Sequence, residues 1–184
     1  MINIAINGFG RIGKVCLKII EEYRLNGINI NVVAINSPST TIEHIIYMLR
    51  YDSVYQSLKT NSIKHIEKDG KDYIELNGNK ILLFRNYNVS EIDWSSVNAN
   101  YIIESSGAYR TLDKAISHID SGAKKVIISA PSDSPTFVYG VNHQDYQKEM
   151  NIVSNASCTT NCLTPLIKII DDNFGVEEAL VSSV

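Results

Sequence analysis

The stretch INIAINGFGRIG, residues 2–13, constrains the fold of this chain more than any other. An apolar, β-branched run leads into Gly8, Gly10 and Gly13, and the segment that follows carries Ile12, Val15, Cys16, Ile19, Ile20 and Tyr23 at three- and four-residue steps. That order predicts a strand, a tight turn and an amphipathic helix. A second β-rich run, NINVVAIN at 29–36, completes a βαβ unit with a parallel pair of strands. In this setting G-x-G-x-x-G has a physical meaning. The first glycine permits the turn, the second lets backbone approach a pyrophosphate, and the third lets helix and strand pack closely. The helix N-terminus then offers unpaired N–H groups to the anion.

The rest of the chain continues the alternation. Thr40 with Glu43 reads as a capping box ahead of a helix bearing Ile42, Ile45, Ile46 and Leu49. From Ser62 to Phe84, short β-prone runs broken at DGK and NGN predict antiparallel hairpins inserted into the α/β pattern. Next come the strand YIIESS, Gly107, a helix from about Thr111 to Ser121 stopped by Gly122, and the strand KVIIS. TFVYGV and NIVSNA are expected as two further strands. The expected fold is α/β, a Rossmann-type doubly wound, mostly parallel sheet. At 184 residues there is room for one ordinary domain, or for one domain and the beginning of another. A net charge of -3 argues against nucleic-acid and anionic-membrane partners, and no apolar run approaches the roughly 20 residues that span a bilayer. The N-terminus lacks a basic region followed by an apolar one, so a cytoplasmic protein is expected.

SNASCTTNC, residues 154–162, places Cys158 among hydroxyl and amide side chains, directly after a strand and at the opening of a helix patterned on Cys162, Leu163, Leu166, Ile167 and Ile170. A thiolate there is stabilised by the positive end of the helix dipole and by free N–H groups, which suits a nucleophile. Cys162, one turn further on, is expected in the core. No second Cys or His pair completes a metal set, so no metal is expected. A nucleophilic thiol needs a base, most often histidine. His44, His65 and His118 read as surface or satisfied residues, and His143 is the one weak candidate.

One part of the dinucleotide fingerprint is absent. The second strand ends AINSPS, with Asn36 and Ser37 where a carboxylate would hold the adenosine ribose. NSPSTTIEH contains no cation other than His44, so NAD is expected to remain preferred, with the penalty against NADP reduced.

Taken together, INGFGRIG, LRYDS, ESSGAY, GAKKVIISAP, VYGVN and above all SNASCTTNCLTPL closely resemble the glyceraldehyde-3-phosphate dehydrogenase family over nearly all of the chain. The resemblance implies phosphorylating oxidation of glyceraldehyde 3-phosphate with NAD, in glycolysis, through a thioester on Cys158. It implies that Asn7, Gly8, Phe9, Gly10, Arg11 and Ile12 meet the cofactor on its phosphate side, Asn36 and Ser37 at the ribose, and that Ser106, Gly107 and Ser129 border it. Ser157 and Thr159 would bind the substrate phosphate. It further implies a cofactor domain over 1–157, the start of a catalytic domain over 158–184 formed by the nucleophile helix and a strand at VSSV, and a homotetramer for the full-length protein. In the family the activating histidine would follow Val184 directly. Where the family usually has Asp near the ribose this chain has Ser37, and where it has ERDP near the adenine this chain has NYNV at 86–89. Two other readings compete: an erythrose-4-phosphate dehydrogenase, and a non-catalytic dinucleotide-binding module.

Overall fold

The computed structural model describes residues 1–55 and 62–182. In chain order the strands are β1 (Ile2–Asn7), β2 (Ile30–Asn36), β3 (Ile63–Lys68), β4 (Lys71–Leu76), β5 (Asn79–Phe84), β6 (Tyr101–Glu104), β7 (Lys125–Ile128) and β8 (Ile152–Ser154). The helices are α1 (Arg11–Leu25), α2 (Ile42–Arg50), α3 (Leu112–Asp120) and α4 (Cys158–Phe174). They form one sheet of order β3-β4-β5-β2-β1-β6-β7-β8. The six strands from β5 to β8 in that order are parallel, and β3 and β4 extend the sheet as antiparallel hairpins. The chain runs outward from β1 in one direction and then returns to leave on its other side at β6, which makes the β1/β6 boundary the switch point of a doubly wound sheet.

Alternation along β1 explains the two faces. Ile4 and Ile6 enter a cluster with Leu17 and Ile20 of α1 and Ile45 and Leu49 of α2, whereas Ala5 enters a second cluster with Trp94, Ile102, Ala115 of α3 and Val126. Trp94 anchors that second face, fully buried, with Phe84 edge-on at 5.5 Å and His118 stacked at 6.0 Å. Asp69–Gly70 and Asn77–Gly78 close the two inserted hairpins, all four with positive φ, which matches the right-handed twist of the strands they join.

Lys14 and Lys18 of α1 both reach Asp52, just beyond α2, at 2.9 Å, and its carboxylate also accepts from the N–H groups of Val54 and Tyr55. Lys18, then Lys14, then those two N–H groups hold the Asp52 carboxyl far below the usual aspartate value of 3.8. A depressed folded value contributes stability that is present above the unfolded value and is lost as pH falls below it. Asp52→Asn is therefore expected to lower the urea midpoint at neutral pH and to flatten its further fall below pH 3.8. Urea titrations at both pH values check this, and an unchanged acid slope in the variant would assign the slope to other carboxylates.

The structure departs from the sequence expectations at four places. The N-cap of α2 is Thr41, whose hydroxyl accepts from the His44 N–H, and not Thr40. TFVYGV forms no strand beyond a single bridge from Thr136 to Ser154. Asn142 folds back to accept from Val138 N–H and to donate to the Thr136 carbonyl, so a side chain takes up the groups a ladder would use. Cys162 is exposed and not in the core, because α4 buries none of its residues. At VSSV, Val181 and Ser182 are exposed and in no strand, and the final two residues of that stretch lie outside the described ones.

Candidate cofactor cleft and nucleophile

Phe84, Asn36, Asn7, Glu104, Ile128 and Ser154 are successive cross-strand neighbours at the carboxyl ends of β5, β2, β1, β6, β7 and β8. The residues singled out in the sequence stand on or just beyond this row. Parallel pairing and a shared register bring them together, although they are scattered through the chain. At roughly 4.8 Å per strand, the row from β2 to β8 is roughly 19 Å long, which suits an extended ligand laid across the switch point.

At the centre, Gly8 has φ +90°, and a Cβ there would collide with the Ser105–Ser106 backbone. A Cβ on Gly13 would collide with the Gly8 carbonyl and stand 3.1 Å from Ile6 Cγ2, so helix, turn and strand close on one another. Gly10 differs, with open space where its Cβ would be. It is the N-cap of α1, makes no side-chain cap, and has no acidic residue in the turn beyond it. The N–H groups of Arg11, Ile12 and Gly13 precede the first helical bond, from Lys14 N–H to the Gly10 carbonyl. This cradle fits a pyrophosphate in shape and in charge. Arg11 and Ile12 are exposed beside it, whereas the Phe9 ring is buried in the α1 face of the core, so residue 9 can meet a ligand only through its backbone.

Beneath the cradle lies a buried polar network. The Asn7 amide donates to Glu104 Oε2 at 2.5 Å, and His118 Nε2 meets the same oxygen at 2.9 Å. Glu104 Oε1 accepts from the Ser106 N–H at 2.8 Å and from its hydroxyl at 2.5 Å. Asn36 donates to Asn7 Oδ1 and to the Asn86 carbonyl, and accepts from the Asn86 N–H. Asn7 and Asn36 thus have their side chains turned into the scaffold. Ser106 and Gly107 lie exposed above it, and Ser129 is tied to Glu104 through its N–H. Sequence reasoning counted His118 only as surface or satisfied, and it overlooked Glu104. The structure makes them the centre of the floor.

At the β2 end, Ser37 is buried, its N–H bonded to the Phe84 carbonyl. Arg85, next after β5, donates from Nη1 to the Ser37 carbonyl at 2.8 Å and to the Thr40 carbonyl. The stretch 36–44 carries no cation but His44, and the fold brings Arg85 to it from the end of β5. Arg85 stands 48 positions from Ser37. Only the pairing of β2 with β5 joins them, and no local pattern announces it.

At the other end, Ser154 donates its hydroxyl to the Ala130 carbonyl, Ala156 turns the chain with φ +58°, and Ser157 caps α4 by accepting from the Thr160 N–H. Ala156, two positions before Cys158, is thus a non-glycine residue held in the sparsely populated left-handed region. Cys158 is the first helical residue and is exposed. The Ser157 hydroxyl is engaged with the cap and with the Thr160 hydroxyl, while Thr159 is exposed. Cys16 is the contrasting thiol, pushed up by burial. Among the described residues no histidine bonds to the Cys158 thiol. His65 pairs with Asp72, His118 with Glu104, and His143 Nδ1 accepts from the Gly140 N–H. No helix among the described residues is long and apolar enough to cross a membrane.

Residues 2–112 match the family model described as glyceraldehyde 3-phosphate dehydrogenase, NAD binding domain, and residues 157–184 match that of the C-terminal domain. The chain is 46% identical over 183 residues to a glyceraldehyde-3-phosphate dehydrogenase of Phytophthora infestans, covering 99% of this chain and 52% of the relative. It is 49% identical over 185 residues to the cytosolic enzyme of Dianthus caryophyllus, covering 100% of this chain and 52% of the relative. A chloroplastic enzyme of Arabidopsis thaliana is 48% identical over 182 residues, covering 98% of this chain and 41% of the relative. The chain thus spans about half the length of the curated relatives it matches.

Proposed function

From the premise that this chain belongs to the glyceraldehyde-3-phosphate dehydrogenase family, we propose that it supplies the NAD-binding half and the nucleophile for phosphorylating oxidation of glyceraldehyde 3-phosphate. The observation that carries this reading is the row of strand ends, which sets a pyrophosphate cradle at β1 and an exposed cysteine at β8 along one edge of one sheet.

In this reading residues 1–157 form the cofactor domain and Cys158 opens the catalytic one. The N–H groups of Arg11 and Ile12 hold the pyrophosphate, Ser37 lies by the adenosine ribose, and Ser106, Gly107 and Ser129 border the remainder. When bound, NAD supplies the hydride acceptor. The Cys158 thiolate adds to the aldehyde carbon, forming a C–S bond while the carbonyl oxygen takes up a proton. Loss of that proton and of hydride leaves a thioester on sulfur. Phosphate then adds to the thioester carbonyl, the C–S bond breaks, and the acyl phosphate leaves with Cys158 returned as thiolate. The Cys158 and Thr159 N–H groups at the start of α4 face no intrahelical partner, and they stabilise the oxyanion that develops in both additions. Thr159, with its exposed hydroxyl, is the stronger of the two contacts assigned to the substrate phosphate, because the Ser157 hydroxyl serves the helix cap.

The test is a chimera joining residues 1–184 to the carboxyl-terminal half of the Dianthus caryophyllus relative. Phosphate-dependent NADH formation from glyceraldehyde 3-phosphate is expected, and Cys158→Ser should abolish it. A higher kcat/KM with erythrose 4-phosphate would favour the competing aldehyde, and a chimera that folds and binds NAD without any turnover would refute the catalytic reading.

A further inference from the structure

The β2 end of the cleft carries an arrangement that the dinucleotide reading above does not require. Dinucleotide folds that select NAD place a carboxylate at the end of the second strand, where it binds the ribose hydroxyls and repels a 2′-phosphate, whereas folds that accept NADP lack that charge and bring an arginine close. Here the position after β2 is Ser37, buried and uncharged. Arg85 lies directly beside it across the β2–β5 pairing, bonded through a single nitrogen to the Ser37 and Thr40 carbonyls.

The electrostatics of Arg85 separate a functional cation from a structural one. It is partly buried, yet no carboxylate lies within ion-pair distance of it among the described residues. One acid that feels its charge is Glu43 on the first turn of α2. That carboxyl is held below its ordinary value mainly by its own N–H and the Thr41 hydroxyl, then by His65, with Arg85 the weakest of the causes. A partly buried guanidinium that meets only neutral carbonyls keeps most of its charge for something else, because an arginine held for structure alone is ordinarily matched by a carboxylate. Its Nε and Nη2 have no hydrogen bond among the described residues. The two carbonyl bonds fix the loop over 37–40 while the rest of the fork remains available.

We propose that Arg85 is a specificity-determining residue that receives the 2′-phosphate of NADP, so that this chain binds NADP at least as tightly as NAD. Ser37, buried and neutral, leaves the space beside it uncharged. Arg85 supplies the charge-assisted contact.

The inference rests on the dinucleotide reading, and calorimetric binding of NAD and of NADP to the 184-residue chain separates the two. Wild-type protein is expected to give an NADP dissociation constant no larger than that for NAD, with the steeper salt dependence for NADP that an added phosphate contact entails. Arg85→Gln should raise the NADP/NAD ratio of dissociation constants about tenfold or more, Arg85→Lys should raise it less, and Ser37→Asp should raise it by weakening NADP and tightening NAD. A purely loop-supporting arginine would weaken both dinucleotides alike and leave the ratio unmoved, which would overturn the proposal. So would wild-type protein that binds NADP tenfold or more weakly than NAD, a measurement that needs no variant. Binding of neither dinucleotide would overturn the proposal together with the reading beneath it.

Discussion

Assayed alone with glyceraldehyde 3-phosphate, NAD and phosphate, the 184 residues are expected to form acyl phosphate about 10²–10⁴-fold more slowly than a full-length relative, while Cys158 still alkylates readily. General-base assistance to a nucleophile is worth about that factor, and among the described residues no histidine bonds to the Cys158 thiol. His65 is bonded to Asp72 in the inserted hairpin, His118 lies under Glu104, His143 accepts from Gly140, and His44 stacks near Tyr47 at the start of α2. The thiol needs none of them to meet a small electrophile. It is exposed at the first position of α4, whereas the Cys16 thiol is pushed up by burial and half shielded. Iodoacetamide followed by peptide mass mapping should therefore find Cys158 modified before Cys16. Turnover within tenfold of the full-length relative would show that a base resides in this chain. Prior modification of Cys16 would show that the exposed helix start does not activate Cys158.

What could be read from the sequence divides by the range of the interaction that carries it. The β1-turn-α1-β2 unit, the two inserted hairpins and the start and stop of α3 are set by periodicity, turn residues and caps within a few positions, and all of these form where the pattern places them. The failures share a different cause. TFVYGV is as β-prone as NIVSNA, but Asn142, four residues beyond Val138, takes the hydrogen bonds that would have extended a ladder. Cys162 fits an apolar helical stripe, yet a stripe reports only which face seeks cover, and α4 with exposed Leu166, Ile169, Ile170 and Phe174 has none among the described residues. The strand ends themselves could be placed one by one from local pattern. Their joining into a row could not be, because it depends on parallel registers among strands up to about a hundred residues apart. Arg85 and Glu104 were invisible for the same reason, as each acquires its meaning from a residue that only the sheet brings near.

Glu104→Ala should cost about 3–5 kcal/mol of stability, since each buried donor left without an acceptor costs about 1–3 kcal/mol. The carboxyl group is 1% exposed and serves three neighbours at once. Without it the Asn7 amide, the Ser106 N–H and His118 Nε2 all lose their acceptor, and water cannot easily replace it because His118 is fully buried against Trp94 and Tyr109. His118 is already short of one partner, since its Nδ1 has none among the described residues. Glu104→Gln keeps the shape and can still accept from Ser106, but its amide would meet the Asn7 amide donor to donor, so a smaller loss of about 1–3 kcal/mol is expected. For a domain of this size each kcal/mol moves Tm by about 2–4 °C, which places the alanine variant well below the glutamine variant and both below wild type in a thermal scan. The same substitutions loosen Ser106 and the turn it abuts, so NAD affinity should fall in that order as well. An alanine variant melting within about 2 °C of wild type would mean that the strand ends are held by the sheet alone. Alanine and glutamine variants of equal stability would mean that the loss comes from volume and not from the unmatched donors.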